Sequence, residues 1–248
     1  MSFRLPAPVL LALIGLAFVT LVGLGLWQVE RAGWKANLVA ARNAKLAATP
    51  LASDEAPALD ASGLDYRLVS LTGRWDAEHL MILANRIRFG VKGENAVEPL
   101  VLSGGEAVLI DRGWYPVEQR DATLAKLKQQ TSTTATGLAL DASGRQSSRT
   151  AAGTWTGIAP ESMSVGLSYR VLPWIVVEGG LIAENAPAPT SYPAQGFERY
   201  VSDVSHVEYA LTWFGLAAAL VVITTVRFVI EPRRARARLE TAEGAPRP

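Results

Sequence analysis

Two long apolar runs constrain this chain more than anything else in it. Pro8 to Trp27 carries no charged side chain, and Tyr209 to Ile230 carries only Arg227, near its end. Each is about 20 residues, enough for an α-helix to cross the hydrocarbon layer of a bilayer. The pattern predicts two transmembrane helices, one near each end of the 248 residues. Trp27 and Trp34 flank the first run, and Tyr209 and Trp213 open the second, where aromatic rings favour the membrane–water boundary. A cleaved signal peptide is the natural rival for the first run. Such a peptide has an apolar core of about 7–15 residues and a small-residue cleavage site. Here the run is longer and ends in Leu26-Trp27-Gln28-Val29-Glu30-Arg31, so an uncleaved anchor is expected.

The flanking charges set the orientation. Arg227, Arg233, Arg234, Arg236 and Arg238 outnumber Glu231 and Glu240 around the end of the second run, and Arg4 precedes the first. By the positive-inside rule both termini face the cytoplasm. Arg31, Lys35, Arg42 and Lys45 pull the other way, but the C-terminal cluster is denser. The expected layout is a cytoplasmic N-terminus (1–7), a first span (8–27), an extracytoplasmic domain with a helical stalk (28–208), a second span (209–230) and a basic cytoplasmic tail (231–248).

The middle changes period. Gln28 to Ala48 holds good helix formers and continues the first helix outward until Thr49-Pro50. Residues 51–65, rich in Ala, Asp and Pro, read as a linker. Tyr66–Gly73 alternates as a strand does, and His79–Ala84, Val97–Leu102 and Ala107–Asp111 are short apolar runs, the last two joined by a Gly104-Gly105 hairpin signal. Val117–Gln130 reads as a helix, Thr133–Leu140 as a strand, and 141–153 as a loop. Arg170–Glu178 is a strand interrupted by Pro173, hence an edge or bulged one. Ala186–Pro193 leads back to the membrane. The fold class is α+β: two transmembrane helices flanking one extracytoplasmic, mostly antiparallel β domain with a short helix.

Composition removes several kinds of chemistry. The chain has no cysteine, which excludes disulfides, a thiolate nucleophile, iron–sulfur clusters and thiol-based copper or zinc sites. His79 and His206 are its two histidines, too few for a metal centre built of several imidazoles. A formal net charge of +1 gives no nucleic-acid footprint. There is no Gly-x-Ser-x-Gly elbow, phosphate-binding loop or His-Glu-x-x-His, so no enzyme is expected. Glu98 and Glu178 supply carboxylates at an unknown separation. Asp111-Arg112-Gly113-Trp114 reads as a strand exit with a local ion pair and a half-buried Trp. His79, beside Asp76 and Glu78, reads as a solvated turn residue.

His206 stands apart because it lies one turn outside the second span, at i−3 from Tyr209, and Trp213 follows at i+4 from Tyr209. All three can share a helical face. Imidazole at that place is either an ordinary interfacial side chain or a ligand for a metal or haem iron.

Three stretches taken together resemble the surfeit-locus (Surf/Shy) family of cytochrome c oxidase assembly proteins. They are Leu24–Arg31 with Trp34-Lys35, the hairpin Pro99–Leu102 with Val108–Pro116, and Tyr209–Gly215 after His206. The resemblance covers nearly the whole chain apart from linkers and tail. It departs at Ser205, where the family commonly has Asn, at Val207-Glu208, and at Gly93-Glu94-Asn95-Ala96, where a Gly-Tyr element is expected. It implies a membrane-anchored factor that binds haem a and assists its insertion into the oxidase catalytic subunit, alongside haem a synthesis or other assembly factors. His206 would be the axial ligand, Tyr209 and Trp213 the pocket walls, and Arg199 a cation for the propionates. A scaffold that holds oxidase assembly intermediates without touching haem is the alternative. The absence of an Arg- and Ser-rich presequence favours a bacterial inner membrane over a mitochondrion.

Overall fold

The computed structural model describes residues 6–183, 186–198 and 205–236, and the chain divides into two units. One takes in the chain up to Ala40 together with the chain from Val201 onward; the other is Ala41–Tyr200. Helix α1 (Ala7–Ala47) is continuous, so the first apolar run and its stalk form one rod that stops just before Pro50.

In the second unit β1 (Leu51–Ala52) is followed by a 3₁₀ turn (Ala56–Ala58) and α2 (Ala61–Leu64), which Asp60 caps by accepting from the Gly63 N–H at 2.7 Å. Then come β2 (Arg67–Trp75), β3 (Met81–Arg88), β4 (Val91–Leu102), β5 (Ala107–Pro116), α3 (Arg120–Lys128), β6 (Thr134–Asp141), α4 (Pro160–Met163), β7 (Val171–Glu178), β8 (Leu181–Ile182) and β9 (Phe197–Glu198). The main sheet runs β1-β2-β6-β7-β5-β4-β3. The far end of β2, Gly73–Trp75, also pairs with Leu100–Leu102 of β4. That pairing closes β2, β6, β7, β5 and β4 into a five-stranded barrel with no free edge among them. Gly73 permits the closure, because a Cβ there would lie 2.5 Å from the Val101 carbonyl oxygen.

The barrel is filled by alternate residues of its strands, among them Val69, Leu71, Leu100, Val108, Ile110, Trp174 and Val176. Ala56, Ala61 and Leu64 are buried in the same core. The stretch 51–65 is therefore not a linker but part of the packed domain. Two further strand readings change. Arg170–Glu178 is no edge strand: β7 lies between β6 and β5, parallel to the latter. The bulge is present, since Ala107–Leu109 spans two positions where Val171–Ile175 spans four, and Pro173 sits inside it. Asp111–Trp114 is no strand exit either; β5 runs on to Pro116 with every residue from Ala107 to Tyr115 buried. Val117–Gln130 is a helix in its central part, with a 3₁₀ turn (Val117–Gln119) before α3.

The second apolar run forms α5 (His206–Thr225), which continues through a π-helical stretch (Val226–Ile230) to Arg236. Both α1 and this helix are long and apolar enough to cross a membrane.

Candidate functional site

Helix α5 begins with a strong local signal. Ser205 is its N-cap, and the Ser205 hydroxyl accepts from the Glu208 N–H at 3.3 Å. Ser at this place does the capping work an Asn would do, so the departure from the family pattern keeps the local structure. The cap fixes His206 as the first helical residue.

From there a stripe of half-buried and buried residues runs along α5 through His206, Ala210, Trp213 and Ala217, at alternating spacings of four and three. That is the seam of a two-helix contact, and its small residues allow close approach. Gly25 of α1 provides the matching surface. A Cβ on Gly25 would come within 2.5 Å of the Phe214 ring, so only glycine lets that ring rest there. One turn further along α1, Gln28 meets His206, with Oε1 2.8 Å from Nδ1. The two helices run antiparallel at this contact, because Gly25-to-Gln28 advances as Phe214-to-His206 recedes.

The hydrogen bond sets the state of the imidazole. An amide oxygen only accepts, so in this contact Nδ1 is the donor and Nε2 stays outside the bond. Metal-bound histidines are held in the same way, through a hydrogen bond from the ring nitrogen that does not meet the metal. Of the three residues expected to form the site, His206 is half-buried against α1 and Trp213 is half-buried along the same seam, while Tyr209 is exposed. Arg199, expected to meet the propionates, lies outside the described residues, as do Arg4, Arg238 and Glu240. Gln28 stands in the Leu24–Arg31 motif with no role expected from the sequence. The available signal was an uncharged amide one turn beyond a glycine at the end of an apolar helix.

A second polar cluster lies inside the barrel. Arg112 is fully buried and donates from Nη1 to Glu98 Oε2 at 2.6 Å, from Nε to Glu178 Oε2 at 2.6 Å, and from Nη2 to Gln130 Oε1. Its guanidinium carbon stacks 3.7 Å from the Trp75 ring centroid. Burial pushes both carboxyls above the usual carboxylate range, against the opposing pull of Arg112. This set joins β4, β5, β7 and the end of α3 at one mouth of the barrel, a cross-link without a nucleophile. Among the described residues no group of three or more His, Asp or Glu side chains is placed to hold a metal ion. His79 lies in a 3₁₀ turn with Nδ1 2.8 Å from Asp76 Oδ2, a carboxylate that also accepts from the Tyr169 hydroxyl at 2.6 Å.

Comparison with known proteins places this architecture. The chain is 37% identical over 98 residues to the cytochrome oxidase assembly protein SHY1 of Saccharomyces cerevisiae, a match covering 39% of this chain and 25% of the yeast protein. It is 24% identical over 244 residues to a SURF1-like protein of Dictyostelium discoideum, covering 81% of this chain and 89% of that one. Against a SURF1-like protein of Rickettsia felis it is 23% identical over 217 residues, covering 85% and 93%. The model of the SURF1 family matches residues 15–218, from within α1 across the barrel and into α5. With the whole β domain and part of each long apolar helix inside that match, the chain belongs to the SURF1 family.

Proposed function

We propose that this protein is a membrane-anchored assembly factor for cytochrome c oxidase that carries haem a to the catalytic subunit, with His206 as axial ligand. The observation that carries the reading is the His206–Gln28 contact, which engages Nδ1 and not Nε2 of a half-buried imidazole at the first turn of an apolar helix. The donor set fits a haem iron, which takes a single protein imidazole readily. Haem a is the cargo, and the protein is a carrier rather than a catalyst. Gln28 holds the imidazole proton at Nδ1 and fixes the ring orientation. Trp213 supplies an apolar wall beside the ligand, and the exposed Tyr209 ring, one turn along α5 from His206, stands beside it as the amphipathic edge of the site. The name of the yeast relative supports the oxidase as the destination. The protein resides in a bacterial inner membrane, with both termini cytoplasmic and the barrel in the periplasm.

The test is made in cells. Deleting the gene should lower the haem a content of the purified oxidase, and wild-type protein should restore it where His206→Ala does not. Normal haem a content in the deletion strain would refute the assembly role. Full restoration by His206→Ala would refute haem carriage and favour the haem-independent scaffold.

A further inference from the structure

The β3–β4 hairpin ends in the sequence Arg86-Ile87-Arg88-Phe89-Gly90-Val91-Lys92, which combines three apolar side chains with three cations and no acid. Ile87 is 76% exposed, and Phe89 and Val91 are 44% exposed each. The strand register puts Ile87 opposite Lys92 and Arg88 opposite Val91, so each face of the ribbon presents one apolar and one basic side chain. The turn is also unusual. Phe89 and Gly90 both have positive φ, 53° and 71°, as a two-residue hairpin turn of this twist demands. Glycine is at home there, whereas a bulky aromatic residue is not. Neither turn preference nor core burial accounts for Phe89, whose ring meets Trp114 only edge-on, at 6.3 Å between centroids.

The fold engages two of the cations without neutralising them, and the Arg88 guanidinium carbon also lies 5.3 Å from the Phe89 ring centroid. Arg86 and Arg88 each donate to a backbone carbonyl, of Thr156 and Ala194, and none of the three makes an ion pair among the described residues. Asp111, whose charge reaches both arginines, is buried and held by Asn95 Nδ2 at 2.9 and 3.0 Å. Net positive charge and apolar side chains thus stand together at the tip.

We propose that this hairpin tip is a membrane-surface anchor that inserts Ile87, Phe89 and Val91 into the interface of an anionic bilayer while Arg86, Arg88 and Lys92 meet lipid phosphates. A bilayer asks only for apolar side chains beside cations. A stable protein interface asks for about 800 Å² per partner, more than a two-residue turn presents. The unit bearing the tip is joined in sequence at both ends to helices long and apolar enough to cross a membrane.

The absence of cysteine allows one spin label at a time. Ile87→Cys and Val165→Cys, the latter a control residue 84% exposed elsewhere on the unit, are labelled with a nitroxide in full-length protein. The protein is reconstituted into vesicles of phosphatidylcholine with or without phosphatidylglycerol. With phosphatidylglycerol, position 87 should be several-fold more accessible to oxygen than to a water-soluble nickel chelate, and position 165 the reverse. High salt or Lys92→Glu should shift position 87 back towards water. A water-like position 87 in anionic vesicles overturns the proposal, including the case in which oxidase subunits must be added to shield it. Equal insertion with and without phosphatidylglycerol overturns the role of the cations.

Discussion

Replacing Arg112 by Met isolates what the buried network contributes. The substitution keeps length and apolar packing over Trp75 but leaves Glu98 and Glu178 facing each other inside the barrel without their cation. Neither carboxylate can regain water, since their side chains are 1% and 9% exposed. The cheapest relief is protonation. Taking up a proton at pH 7 on a carboxyl whose ordinary value is 4.5 costs about 3.4 kcal/mol. That agrees with the roughly 3–5 kcal/mol lost when one partner of a buried pair is removed. The loss should therefore depend on pH. For one such carboxyl it shrinks by about 1.4 kcal/mol per pH unit as pH falls towards 4.5. The assay is urea unfolding in mild detergent, followed by tryptophan fluorescence at pH 7 and pH 5. Arg112→Met should lose about 3–5 kcal/mol at pH 7 and about 2.7 kcal/mol less at pH 5. Arg170→Met, which breaks the exposed pair with Glu106, should stay within about 1 kcal/mol at both. A pH-independent loss, or one below the Arg170 control, would refute the electrostatic account.

Other outcomes follow from the same geometry. Leu64→Ala, in the segment between the stalk and β2, should cost about 2–5 kcal/mol in the same assay because Leu64 is fully buried; a surface-like value would contradict its place in the core. Gly25→Val should drive a side chain into the Phe214 ring and weaken the α1–α5 contact by about 1–3 kcal/mol, and Gly25→Val with Phe214→Ala should recover most of it in a thermal melt. For Asp76, burial raises the carboxyl, yet the bonds from Tyr169 and His79 together outweigh it and hold it below its ordinary 3.8. Its contribution is thus present above pH 3.8 and lost as pH falls through the folded value. Asp76→Asn should flatten the acid limb of the stability profile and leave it unchanged if those bonds contribute nothing. Gln28→Leu should weaken haem a binding by about 10–100-fold while keeping the helix pair intact.

The parts that were legible in the sequence are those with a strong local period. Twenty apolar residues announce a span, whereas the Ser205 cap that starts α5 went unread because Ser205 stood out only as a departure from the family pattern. The Gly104-Gly105 hairpin was equally plain. Barrel closure was not, because it depends on three residues of β2 meeting three of β4, with no signal beyond the space-saving Gly73. The Arg112 network was hidden by a sound rule. A charged residue after an apolar run reads as a strand end, since burying a charge alone is costly. The counter-signal lay in phase: Val108-Ile110-Arg112, Glu98-Leu100-Leu102 and Trp174-Val176-Glu178 each place a charge on the inward-facing alternate position, and the three charges are complementary. Recognising that requires knowing which strands are neighbours. Residues 51–65 failed for the opposite reason, as Ala56 and Ala61 carry too little apolar surface to register as core. Gln28 had no sequence signal that joined it to His206, 178 residues away.

The central claim is haem a carriage through His206. Its most direct test is an absorption titration of the detergent-solubilised protein with haem a, run beside His206→Ala. Haem carriage requires a saturable Soret shift at one haem per chain for the wild type, and a weakened or spectrally altered complex for the mutant. No saturable binding by the wild type, or an identical titration by His206→Ala, would contradict it.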